Sequence, residues 1–225
     1  MEIKIQTIKL AMPMGMGSVN CYLLQVETGF ILIDTGNSSN RKALLQELEK
    51  TGCQPGLLKL VILTHGDFDH TGNAANLRSS RGARLAMHPG DVDMVEKGDM
   101  FANRKKPNWL IQALIPLFTG FGKSERFTPD VFLQDGDDLN GYGVYARILS
   151  LPGHSKGSIG ILTRDLDLFC GDLLENTKSP SMTSLVDESE TLHASVNRLR
   201  ELGNLTIYPG HGKPFKLSEM TGPAI

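Results

Sequence analysis

The most constraining stretch of this chain is the point where an apolar run becomes abruptly polar. Residues 57 to 63 read L-L-K-L-V-I-L and pass directly into T-H-G-D-F-D-H at 64 to 70. A short, nearly continuous apolar run of this kind is a strand covered on both faces. The segment after it packs His65, Asp67, Asp69 and His70 into six positions. Adjacent buried carboxylates repel one another and lose solvation, so a cluster this dense calls for a cation. The chain must therefore end a buried strand at a sheet edge and turn its polar side chains toward one pocket.

Three later segments repeat the arrangement in dilute form. Of six histidines, four follow directly on predicted strands: His65, His70, His154 in L-P-G-H-S-K-G-S (151 to 158) and His211 in Y-P-G-H-G-K-P (208 to 214). Glycine within each of these segments lets the backbone turn sharply and delivers the side chain to the sheet edge. Asp172 closes the strand D-L-F-C-G-D at 167 to 172. Taken singly, a loop histidine is an ordinary polar side chain and a Gly-Asp pair is a turn; the six-residue cluster together with three further strand-end sites reads as a metal centre. His88, before Pro89, and His193, on a predicted helix, lack that setting and read as ordinary residues.

The rest of the chain supplies a scaffold. Strands are predicted around 3 to 10, 19 to 26 and 30 to 34, with Gly29 as the turn between the last two. A helix capped by Ser39 or Asn40 carries Leu44, Leu45 and Leu48 as its apolar stripe and stops at Gly52. A short helical piece and a strand at 83 to 87 follow, and strands resume at 131 to 133, 144 to 151, 158 to 163 and 167 to 172. A helix at about 188 to 202 presents Leu192, Val196 and Leu199, and a last strand at 205 to 208 leads into His211. Residues 89 to 130 lack strand alternation and read as a mostly helical insertion. The 225 residues suit a single domain, 1 to 225. Strands and helices in this order predict an α+β protein, two sheets face to face with helices outside.

Composition narrows the function. Lys plus Arg number 23 and Asp plus Glu 25, a net charge of −2, which speaks against a nucleic-acid partner. No apolar stretch reaches the length of a membrane span. Cys21, Cys53 and Cys170 are odd in number and widely spaced, as expected of reduced thiols in a cytoplasmic protein without an export signal.

The ordered set L-I-D-T-G (32 to 36), T-H-G-D-F-D-H (64 to 70), P-G-H-S (152 to 155), C-G-D (170 to 172) and P-G-H-G (209 to 212) resembles the five motifs of the metallo-β-lactamase superfamily. The resemblance implies a four-layer αβ/βα sandwich with a dinuclear metal site that hydrolyses an ester, thioester, lactone, amide or phosphodiester of a small molecule. By matching position, it implies one metal on His65, Asp67 and His154, a second on Asp69, His70 and His211, Asp172 bridging both, and Asp34 orienting ligands from behind. Asp69 would also accept a hydrogen bond from the attacking water.

The family's second motif normally runs His-x-His-x-Asp-His, and here Asp67 takes the place of its second histidine. Two divalent ions, three carboxylates and a bridging hydroxide then sum to about zero formal charge, one unit less than with the usual ligands. A carboxylate at that position shifts the expected metals from zinc alone toward iron or manganese. It also keeps open an iron-dependent oxygenase or oxidoreductase on the same scaffold, and a metal-poor binding protein in which the site has decayed. The 14 residues after His211 leave no expected room for a flavodoxin domain or for the C-terminal helical domain of a glyoxalase II type. The insertion is the expected lid, with Trp109, Leu110, Leu114, Leu117, Phe118 and Phe121 lining an apolar pocket or forming a homodimer contact, and with Lys105 and Lys106 near any anionic substrate group.

Overall fold

A computed structural model describes residues 3–12, 15, 17–104 and 122–220. Six strands form the first sheet: β1 (Lys4–Ala11), β2 (Ser18–Val26), β3 (Gly29–Ile33), β4 (Leu58–Ile62), β5 (Arg84–Met87) and β6 (Val131–Phe132), neighbours in that order. β1, β2 and β3 pair antiparallel as a meander, whereas β3 to β6 run parallel. Between the parallel strands lie α1 (Arg41–Lys50), α2 (Phe68–Thr71), α3 (Ala74–Arg81) and α4 (Val92–Lys97), since a parallel pair needs a crossover. The second sheet follows: β7 (Ala146–Ser150), β8 (Ile159–Thr163), β9 (Asp167–Gly171), the small hairpin β10 (Leu174–Glu175) and β11 (Ser181–Met182), α5 (Ser189–Glu201), β12 (Thr206–Pro209) and β13 (Phe215–Lys216). Its order is β13-β12-β9-β8-β7, with β10 and β11 forming a separate pair.

Period-two alternation sorts the side chains into layers. Ile31 and Ile33 of β3 and Leu60 and Ile62 of β4 face inward, meeting Ile148, Ile159, Ile161 and Phe169 of the second sheet. The alternate positions, Leu32, Val61 and Leu63, pack outward against Leu44 and Leu48 of α1 and Leu77 of α3. On the other side, Leu149, Leu168 and Cys170 meet Leu192, Val196 and Leu199 of α5. The four layers are thus α1/α3, sheet, sheet, α5, as the motif order implied. A cluster of three rings ties the sheets together, Tyr22 with Phe169 at 5.1 Å, Tyr22 with Tyr208 at 5.5 Å and Phe169 with Tyr208 at 4.9 Å between centroids.

Details differ from the sequence reading. The cap before α1 is Asn37, whose side chain accepts from the Ser39 amide and starts a 3-10 turn over Ser38–Asn40; Asn40 makes no side-chain cap. Within 89 to 130 the described helix is limited to α4 and two 3-10 turns, Pro89–Asp91 and Lys123–Glu125. Phe127 is a core residue of the first sheet's outer face. The positions proposed as lid, Trp109, Leu110, Leu114, Leu117, Phe118 and Phe121, and also Lys105 and Lys106, lie outside the described residues.

Candidate metal centre

All seven expected ligands arrive at one edge of the sandwich, each from a segment that follows a strand. His65 to His70 lie between β4 and the end of α2, His154 follows β7, Asp172 follows β9, and His211 follows β12. Ring centroids of His65 lie 4.1 Å from His70 and 4.7 Å from His154, and those of His70 and His211 are 5.6 Å apart. Two groups have ligand atoms mutually within 4.8 Å: His65, His154 and Asp172, and Asp69, His70 and His211. Asp172 faces the second group too, with Oδ1 3.3 Å from His70 Nε2 and Oδ2 3.2 Å from His211 Nε2.

Every imidazole is anchored through Nδ1, which leaves Nε2 aimed at the shared space. His154 Nδ1 donates to the Leu185 carbonyl at 2.8 Å and His211 Nδ1 to the Ser18 carbonyl at 2.9 Å. His70 Nδ1 lies 2.8 Å from Asp34 Oδ2. The Thr64 hydroxyl donates to the same oxygen at 2.8 Å and lies 3.0 Å from His65 Nδ1. Asp34 also accepts from the Thr64 amide at 2.8 Å and adopts φ +58°, unusual for a residue other than glycine. Outer partners of this kind fix the tautomer and aim of ligating rings. His65 Nε2, His70 Nε2 and Asp172 Oδ1 are buried and make no hydrogen bond. Buried polar atoms without hydrogen bonds, one imidazole nitrogen in each group and an oxygen of Asp172, are what a cation satisfies, so the donor set fits a divalent metal.

The charges agree with that fit. Burial disfavours charge on His70, His154 and His211, but the surrounding carboxylates outweigh it and raise all three, His211 to about 11 through Asp172 and Asp69. Asp172 is held well below the usual carboxylate range despite burial, by His70 and His211.

Asp67 behaves differently from the other ligands. Its Oδ2 lies 3.0 Å from His154 Nε2 and 3.5 Å from His65 Nε2, while its Oδ1 accepts a short hydrogen bond from an Nη of Arg104. Asp67 belongs to neither group of three just described. Sequence reasoning missed Arg104; the only hint was that a carboxylate replacing an imidazole in a buried cluster needs a compensating charge. It also missed Asp91, which is fully buried. Asp91 Oδ2 accepts from the Gly66 amide at 2.9 Å and from the Ser155 hydroxyl at 2.6 Å, and its Oδ1 accepts from the Gly157 amide at 2.8 Å. It thereby rivets the His65 loop to the His154 loop. His88 accepts from the Gly90 amide through Nδ1 at 3.0 Å, and His193 contacts the Ser189 carbonyl on its own helix at 2.7 Å; neither joins the centre.

The P-G-H-G turn is held by β2. Tyr22 donates its hydroxyl to the Pro209 carbonyl at 2.6 Å, and Asn20 Nδ2 donates to the carbonyls of Pro209 at 3.0 Å and Gly212 at 2.8 Å. A Cβ at Gly210 would collide with Asp172 Oδ1 and with His70, so only glycine lets this backbone approach the ligands.

A family model described as "Metallo-beta-lactamase superfamily" matches residues 14–211. The chain belongs to the metallo-β-lactamase superfamily. Its activity class is accordingly metal-dependent hydrolysis. Among its relatives is hydroxyacylglutathione hydrolase GloC of Haemophilus influenzae, 30% identical over 200 residues, covering 86% of this chain and 85% of that one. A second, human acyl-coenzyme A thioesterase MBLAC2, is 27% identical over 69% of this chain and 58% of its own. The crystal structure of TTHA1623 in a di-iron-bound form superposes with a TM-score of 0.70 at 28% identity, covering 91% of this chain and 93% of that one. No helix among the described residues is long and apolar enough to cross a membrane.

Proposed function

We propose that residues 1–225 act as one domain that hydrolyses a small-molecule thioester or a related activated ester, with two divalent ions. His65, Asp67 and His154 would hold one ion and Asp69, His70 and His211 the other, with Asp172 between them. The observation that carries this reading is the convergence of buried, hydrogen-bond-free His65 Nε2, His70 Nε2 and Asp172 Oδ1. GloC is named as a hydroxyacylglutathione hydrolase and MBLAC2 as an acyl-coenzyme A thioesterase; an acyl group carried on the thiol of glutathione or coenzyme A is a thioester, which favours thioesters over lactones, amides and phosphodiesters.

When bound, the ions supply an activated water and an electrophilic hold on the carbonyl oxygen. The chain's own residues do the rest. The four Nδ1 anchors keep the imidazoles aimed without reorganisation, the condition under which such sites are most effective. Asp69 has an exposure of only 7% and its Oδ2 lies 3.5 Å from His211 Nε2; it would accept a hydrogen bond from the attacking water while holding the ion. The carboxylate at 67 and the di-iron state of the TTHA1623 neighbour favour iron or manganese alongside zinc.

Asp69→Ala and His154→Ala should each lower thioester turnover by about 100-fold or more while circular dichroism remains that of the parent. Full activity in either variant would contradict the assignment. Elemental analysis of protein purified without added metal should return two equivalents, iron or manganese among them. Oxygen uptake with a thiol donor, in place of hydrolysis, would mark the redox reading as the correct one.

A further inference from the structure

Arg104 lies in the segment after α4 and has a side-chain exposure of 7%. Four of its five N–H groups have partners among the described residues. One Nη donates to Asp67 Oδ1 and reaches the Met100 carbonyl at 3.5 Å, the other Nη donates to the His154 carbonyl at 3.1 Å, and Nε donates to Asp187 Oδ2 at 2.9 Å. A guanidinium so committed keeps at most one N–H for an anionic substrate and cannot grip it in the bidentate fork. Its contacts are instead with a metal-ligand candidate and with the backbone of another.

We propose that Arg104 is a positioning residue of the first metal site, making Asp67 act there as the electrostatic equivalent of a neutral imidazole. This rests on the two-ion reading given above. By binding Oδ1 it restricts Asp67 to one free oxygen, Oδ2, on the side of His65 and His154. Its positive charge cancels the extra negative charge that Asp67 brings relative to a histidine. Asp187 does not undo this, because its side chain is 26% exposed against 6% for Asp67, and water screens the outer charge far more than the inner one. The formal count at the centre then returns to that of the usual His-x-His-x-Asp-His ligands, one unit above the count without Arg104. A cation this close to a ligand oxygen repels a divalent ion, so the first site binds metal more weakly than its ligands alone would.

The test is metal affinity, not turnover. Protein stripped with chelator and refolded by no other treatment is titrated with Zn²⁺ against a chromogenic chelator, with thermal melting as the check on folding. The parent should bind two equivalents with unequal affinity. Arg104→Met and Arg104→Gln, which remove the charge and differ in hydrogen bonding, should each tighten the weaker site by about tenfold or more, and Arg104→Lys should stay within about twofold of the parent. Should one neutral variant not fold, the other carries the comparison. Unchanged or weaker binding in the folded neutral variants overturns the role of Arg104 while leaving the two-ion reading intact. Failure of the parent to bind a second equivalent overturns the two-ion reading itself.

Discussion

Asp34 shows how much a single side chain can be asked to do. It sits at the end of β3 in a left-handed conformation, φ +58°, which for a residue with a Cβ costs on the order of 1 kcal/mol or more. In return its carboxylate joins Thr64 and His70, and through Thr64 reaches His65. His211, on the far side, is governed by charge. Burial lowers its affinity for a proton, yet Asp172 and Asp69 raise it to about 11. In metal-free protein this raised value contributes stability that is fully present below the unfolded value near 6.5 and is lost as pH climbs toward 11. Melting of stripped protein should therefore fall between about pH 7 and pH 10, and His211→Gln should flatten that slope. Metal uptake should run the opposite way, since ions must displace those protons. The strand-end ligands were legible in the sequence because imidazole and carboxylate at that density have few other uses. Arg104 was not, because one arginine in an insertion is indistinguishable from a solvated one until the fold brings it 37 positions back to Asp67.

Strands and helices were legible where a periodic pattern was long enough to read. β2, β3, β8 and α5 lie within about two residues of expectation because alternating or helical apolar faces cannot slip without exposing the core. Of the four two-residue strands only β6 was expected; β10, β11 and β13 carry no period at all, and they form only by pairing with each other or with β12. The connection between β5 and α4 illustrates the same limit. Nothing in H-P-G-D marks Asp91 as a buried rivet, yet it satisfies two backbone amides from different loops and a serine hydroxyl. Gly157 is confined by it as well, since a Cβ there would come within 2.6 Å of the Asp91 carboxylate. Asp91→Ala would leave the Gly66 and Gly157 amides buried without acceptors, each worth about 1–3 kcal/mol. Urea denaturation should show a loss of about 3 kcal/mol, and metal content should drop as the two histidine loops part. A stability within about 0.5 kcal/mol of the parent would mean that the loops are held by other contacts.

The sandwich as a whole brings together ligands from two halves of the chain that share little sequence. Asp34, His65, Asp67, Asp69 and His70 belong to the first sheet, whereas His154, Asp172 and His211 belong to the second. The layers themselves are held by Ile31, Ile33, Leu60 and Ile62 against Ile148, Ile161 and Phe169, an apolar contact that needs no ion. A metal that recruits ligands from both sides adds its binding free energy to that contact and to nothing in the unfolded chain. At a free concentration one hundred times its dissociation constant, each ion should stabilise the fold by about 2.7 kcal/mol. In a chain of 225 residues a kilocalorie moves the midpoint by about 2–4 °C, so stripping one ion should lower melting by roughly 5–10 °C. His154→Ala, which removes a ligand of the first ion from the second sheet, should lose about half of the full metal-dependent shift. The apolar interface should still keep the stripped protein cooperatively folded. Calorimetry with and without chelator measures both quantities, and a midpoint that chelation leaves unmoved would show that the two sheets are joined by the core alone.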